Sequence, residues 1–160
     1  MARCRRGGSE LADAFIMRWP SLGKQVRFEK IGHNQHVFDW WVEQLPAKAV
    51  QSHTIVSGWC LSTLVVRTRA PYPWRPDDEV LEDISKAPDG RMKIKHHRVH
   101  GSAQVLVKYD ERSEDLQDIT FANACAEDLP ILREVGREVW KAVVQTKQVV
   151  PVEFLKAEEV

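Results

Sequence analysis

A phenylalanine and two tryptophans within four residues, Phe38, Trp40 and Trp41, constrain this chain more than any other feature. Rings of that size need a large surface to cover them. They lie in the stretch 32–46, whose histidine-rich polar start leads into an apolar run that stops at Pro46. Val37, Phe38, Trp41, Val42 and Leu45 recur at spacings of three and four, which predicts one face of a helix over 32–45. Asn34 is placed to cap its start and Pro46 to end it. Phe38, Trp40 and Val42 also alternate, so strand periodicity competes here. A helix this bulky calls for a sheet wrapped around it, with the polar groups ahead of it at the mouth of a pocket.

The remaining chain supplies such a sheet. Ser9 can cap a short helix from Glu10 to Trp19, ended by Pro20. Residues 25–31 alternate as a strand. Residues 54–68 are rich in β-branched and aromatic side chains and read as a long strand, with Gly58 marking a bulge or a close backbone approach. Pro71, Pro73 and Pro76 force an extended loop. Residues 79–85, 91–100 and 103–109 read as strands, with turns at Asp89-Gly90 and Gly101-Ser102. Ala103, Val105, Val107 and Tyr109 share one face. An acidic loop over 110–118 precedes a last strand over 119–124. Asp128 and Pro130 then begin a helix with Leu129, Leu132, Val135, Val139, Trp140 and Val143 on one side. The expected organisation is a flexible basic arm over 1–8, a single α+β domain over 9–148, and a loosely packed tail over 149–160.

With 160 residues, the chain can bury about two-thirds of the surface it exposes when unfolded. Lys+Arg and Asp+Glu both number 23, so the formal net charge is zero, which argues against broad binding to nucleic acid or an acidic membrane. No apolar run reaches the ~18 residues of a membrane span. The segment after Arg3, Arg5 and Arg6 is too short and too polar for a signal peptide. Cys4, Cys60 and Cys125 are widely spaced and odd in number. They predict no disulfide framework and a cytoplasmic setting.

Asn34-Gln35-His36-Val37, followed by Trp41, Glu43 and Pro46, resembles the lead-in to the central helix of acyl-acyl-carrier-protein thioesterases. Gly32-His33 resembles the Gly-His-x-Asn lead-in of the wider hot-dog thioesterase superfamily. Arg75-Pro76-Asp77-Asp78-Glu79-Val80, Lys95-His96-His97-Arg98-Val99 and Gln104-Val105-Leu106-Val107 are similar to that family's later strands and loop. The resemblance covers about residues 25–112. Gly32 stands where the family has a carboxylate, and Arg69-Ala70 where it has Glu-Cys. The resemblance implies a hot-dog α+β fold, an antiparallel sheet wrapped around a central helix plus a C-terminal helix. It implies an acyl-thioester hydrolase or acyl-thioester binding protein, whose partner is coenzyme A or an acyl carrier protein. No cofactor is implied.

Thioester hydrolysis needs a base and a donor for the developing oxyanion, and a helix N-terminus supplies backbone N–H groups for the latter. The candidate catalytic residues are His36, Asn34 and Glu29, with Asp39 also in reach. His33, Trp40, Trp41, Trp59 and Arg98 are candidates for substrate binding, the tryptophans as walls of an acyl tunnel. The plainer reading makes them a helix cap, solvated histidines and core rings. Alternation that buries Val26 and Phe28 would turn Glu29 outward. His33, His36, His96, His97 and His100 lack metal-ligand spacing, so no metal is expected. Cys60 reads as a small buried hydrophobe. A single open sheet predicts a homo-oligomer. The competing reading is a non-catalytic helix-grip fold of the START type, in which the C-terminal helix fills the sheet's concave side and a lipid or other hydrophobic ligand binds.

Overall fold

Alternating burial sets the architecture, because side chains on a strand point to opposite faces. In the computed structural model, residues 13–65, 68–76, 80–97, 101–115 and 117–159 are described. The elements are β1 (Ala14–Trp19), β2 (Lys24–Lys30), α1 (Gln35–Glu43), β3 (Ala47–His53), β4 (Gly58–Val65), β5 (Leu81–Asp83), β6 (Arg91–His97), β7 (Ser102–Arg112), β8 (Gln117–Ala124), α2 (Leu129–Val139) and β9 (Pro151–Lys156). A π-helical turn over Trp140–Gln145 extends α2. Phe15, Met17 and Trp19 on β1, Val26 and Phe28 on β2, and Val152 and Phe154 on β9 are all fully buried.

Every strand pairing is antiparallel, and the ladder runs β2-β1-β9-β3-β4-β7-β6-β8. Pairing of β2 with β8, with Phe28 opposite Ala124, closes it into an eight-stranded barrel. Closure leaves those eight strands without an outer edge. The short β5 lies outside this ring and pairs with β8 alone, Leu81 opposite Ile119.

The two helices stopper the ends. Trp41 on α1 reaches rings from β1, β8 and β9, with centroids 6.3 Å from Phe15, 6.2 Å from Phe121 and 5.2 Å from Phe154. Phe15 stacks on its cross-strand partner Phe28 at 5.4 Å and 9°. The other helix, α2, touches β2 and β4, which stand opposite each other in the ring, so it crosses the second mouth. Gly136 fits there because a Cβ would lie 2.4 Å from the ring of Tyr109. Beside it, His53 Nε2 lies 2.6 Å from the Tyr109 hydroxyl and Nδ1 lies 2.6 Å from the Thr54 carbonyl. The carbonyl can only accept, so Nδ1 carries the proton and Nε2 accepts from Tyr109. Trp140 packs edge-on to His53 at 4.9 Å.

The closed barrel corrects the hot-dog expectation, and with it the resemblance to thioesterases: this sheet closes on itself and has no long helix lying in an open curve. The helix-grip alternative falls for the same reason. Helix α1 forms within the expected stretch, but Asn34 makes no side-chain cap. It takes a left-handed backbone (φ 51°), and its amide reaches β8 and the segment before β5. Trp19 belongs to a strand rather than a helix, since Phe15, Met17 and Trp19 face the barrel interior at every second residue. Residues 9–12 of that expected helix and the basic arm lie outside the described residues. The Asp89-Gly90 turn joins no hairpin, because β5 pairs with β8 and β6 with β7. The segment expected to pack loosely forms β9, between β1 and β3. Cys125 is disulfide-bonded, contrary to expectation. Cys60 is free and buried. Among the described residues, no helix is long and apolar enough to cross a membrane.

Trp41→Ala should destabilise the fold by roughly 3–5 kcal/mol in urea unfolding, because the surrounding barrel cannot collapse onto the space left. Trp41→Phe should cost less, since it removes an indole N–H buried with no hydrogen-bond partner among the described residues. Burial holds the His53 pKa below 6.5 against the opposing pull of the Thr54 carbonyl. The unfolded chain therefore binds a proton more readily than the folded one. Stability should be intact above about pH 6.5 and fall as the pH drops below it. Urea midpoints measured from pH 8 to pH 5 should show a smaller fall in His53→Gln.

Candidate functional site

The sequence-predicted residues scatter over the barrel. Glu29 faces outward on β2, as the burial of Val26 and Phe28 requires, and lies 3.7 Å from the Arg27 guanidinium. Asn34 is buried and spends its side chain on backbone: its amide nitrogen donates to the carbonyls of Val80 and Thr120, and its oxygen accepts from the Val80 N–H. His36 sits half-buried in the first turn of α1. The structure thus gives Asn34 a clamping role and aims Glu29 away from the barrel interior. His33 Nε2 lies 2.8 Å from Thr120 Oγ1, which donates to Glu82 at 2.7 Å. Arg91 completes that group with its Nε 3.1 Å from Glu82. Asp39 pairs with Lys30 at 2.6 Å.

The tryptophans do not line one tunnel. Trp41 is interior core. Trp59 lies at the α2 end, 5.4 Å from Trp140 and 6.0 Å from His53. Trp40 lies at the α1 end, its N–H donating to the Ala70 carbonyl at 3.2 Å. Arg98 is outside the described residues. Among those described, no group of three or more His, Cys, Asp and Glu side chains is arranged to hold a metal.

A different feature is concave. Strands β6 and β8 run paired from Arg91 to Ile94, with Ile94 opposite Ile119 as the last pair. Beyond it they part. Lys95 and His96 continue along β7, while Asp118 and Gln117 continue along β5. The parting opens a cleft of about 370 Å³ in the barrel wall, lined by Ile94, Lys95, His96, Gln117, Asp118, Ile119 and Leu81, with Tyr72 and Trp74 from the proline-rich loop. That volume lies at the lower end of the ~300–1,000 Å³ usual for small-molecule sites.

Aromatic rings organise the cleft. Tyr72 stacks on His96 with centroids 5.1 Å apart and an interplanar angle of 10°. Trp40 meets both edge-on, at 5.1 Å and 5.5 Å. Trp74 is half exposed, as is Leu81 on β5. Charges of both signs stand among them: Lys95 is exposed on one side, and on the other Asp118 accepts from Lys93 at 2.5 Å. A planar aromatic group could lie against the rings, while the charged side chains meet an attached ammonium or carboxylate. Sequence reasoning weighed His96 as a metal ligand and within the family resemblance, and it passed over Tyr72 and Trp74. The signal available was their alternation with Pro71 and Pro73, which holds the loop extended and displays the rings.

No protein-family model matches the sequence, and no curated protein matches it either. Among solved structures, the chain is similar to McbB, determined in complex with tryptophan, with a TM-score of 0.73 and 27% identity. The likeness covers 91% of this chain and 45% of McbB, so this chain spans less than half of that protein's length. The barrel and a neighbour solved with tryptophan overturn the acyl-thioester function drawn from sequence, and with it the thioesterase and acyl-CoA assignments.

Proposed function

We propose that this barrel binds a small aromatic amino acid, of the class of tryptophan, in the cleft between β6 and β8. The observation that carries the reading is the set of rings from Tyr72, Trp74 and His96 where β6 parts from β8. In this reading the ligand ring lies against Tyr72 and Trp74. Lys95 meets its carboxylate and Asp118 its ammonium, which is how opposite charges across a cleft fix the orientation of a zwitterion. The tryptophan held by McbB supports the ligand class. Zero formal net charge favours a small ligand over nucleic acid. Self-association is a further part of the proposal, through the open edge of β5 rather than the closed ring, and light scattering checks it.

Titration calorimetry with L-tryptophan tests it, since the chain's own six tryptophans obscure a fluorescence readout. L-tryptophan should bind and L-leucine should not. Trp74→Ala should weaken binding roughly five- to tenfold, the loss of about 1–1.4 kcal/mol of ring contact. Asp118→Asn should weaken L-tryptophan more than indole-3-propionate, which lacks the ammonium. No heat and no thermal shift with L-tryptophan at millimolar concentration would overturn the reading.

A further inference from the structure

We propose that Gln44 is a positioning residue for this cleft, holding the wall that carries Tyr72 and Trp74; the inference rests on the ligand site proposed above. Gln44 is buried at the C-terminal end of α1. Its Oε1 accepts from two successive backbone N–H groups of the loop, those of Arg69 and, at 3.0 Å, Ala70. Its Nε2 donates to the Trp40 carbonyl at 2.9 Å, which locks the amide's orientation. The next link runs the other way, from Trp40 Nε1 to the Ala70 carbonyl. One side-chain amide therefore ties the loop to the helix at both of the residues just before the proline-rich stretch. Thr68 anchors the loop's start, its N–H and Oγ1 both donating to the Gly101 carbonyl, with His96 Nε2 3.2 Å from the same hydroxyl.

Two residues beyond this clamp, Tyr72 stacks on His96 and meets Trp40. The short distance along the chain matters. Pro71 fixes its own φ, one of the few dihedrals between Ala70 and Tyr72, and so limits how far Tyr72 can move independently of Ala70. The two bonds to Gln44 thus restrain the backbone from which the Tyr72 ring reaches Trp40 and His96, and the ring forms part of the cleft lining. A leucine or methionine at position 44 would fill similar space but leave two part-buried N–H groups without their acceptor. Such groups seek new partners or water, at the expense of the conformation that strands them.

The test is a double-mutant cycle with L-tryptophan as the probe. It uses the full chain as wild type, Gln44→Met, Tyr72→Leu and the pair, with the His96 ring proton followed by NMR. Gln44→Met should weaken binding at least fivefold, and should add less than twofold once Tyr72→Leu is present, because it acts through that ring. The His96 signal should lose the shift that a stacked tyrosine imposes, while that of His53 at the far end of the barrel stays in place. If Gln44→Met does not fold, Thr68→Val loosens the same loop and should move the His96 signal in the same direction. Additive losses, or an unmoved His96 signal, would overturn the proposal. If the wild type fails to bind L-tryptophan, the ligand reading falls, and the His96 signal still decides whether Gln44 holds the wall.

Discussion

The structure depends on filling a closed barrel with something rigid enough to keep it open. Eight strands leave an interior that side chains can just fill. Here small residues such as Ala103, Ala122 and Ala124 line part of the wall. The space they leave is taken by rings delivered from a helix, chiefly Trp41 and Phe38 among Phe15, Phe121 and Phe154. Inside, these rings interlock. Single side-chain amides satisfy several buried polar groups at once. Gln51 takes the indole N–H of Trp19 and gives its own protons to Ser52, Ser62 and Thr63, stitching β1, β3 and β4 through one amide. A second buried amide, Gln44, does the same for a loop.

How legible this was depended on whether each strand's inward face was apolar. β7 could be read directly, since Ala103, Val105, Val107 and Tyr109 alternate and all point in. Strand β3, two places along the ring, could not. Its partly or wholly inward positions are Ala47, Ala49, Gln51 and His53, small or polar side chains that carry no period-two hydrophobic signal. β9 does alternate, with Val152 and Phe154 buried, but Pro151 begins it and the acidic residues beyond it gave the end of the chain the look of a solvated tail. β1 was lost to an ambiguity: Phe15, Ile16 and Met17 are all buried, so both faces of the strand are covered and no period is visible.

The aromatic helix was found, and its surroundings were misjudged for a related reason. Ring count predicts that a helix needs covering, but it does not say whether the cover is an open curved sheet or a closed one. That choice rests on pairings between residues far apart in sequence, Phe28 with Ala124 and Ile16 with Leu155, which no local pattern encodes. The same holds for the cleft. Tyr72 and Trp74 belong to a loop, and only the parting of β6 from β8 beside it makes their rings the wall of a site.

The position of β9 also sets when this molecule can become itself. Phe15 pairs with Lys156 and Ile16 with Leu155, so one of the first described strands waits for one of the last. Loop-closure entropy must be met before such distant pairings return any stabilisation, which makes high-contact-order sheets slow to form. On the ribosome, β1 must wait without this neighbour until β9 leaves the exit tunnel. Meanwhile Phe15, Met17 and Trp19 are candidates for capture by chaperones or by other nascent chains. The barrel's seam is thus a timing device: the ring closes only once β9 has been made.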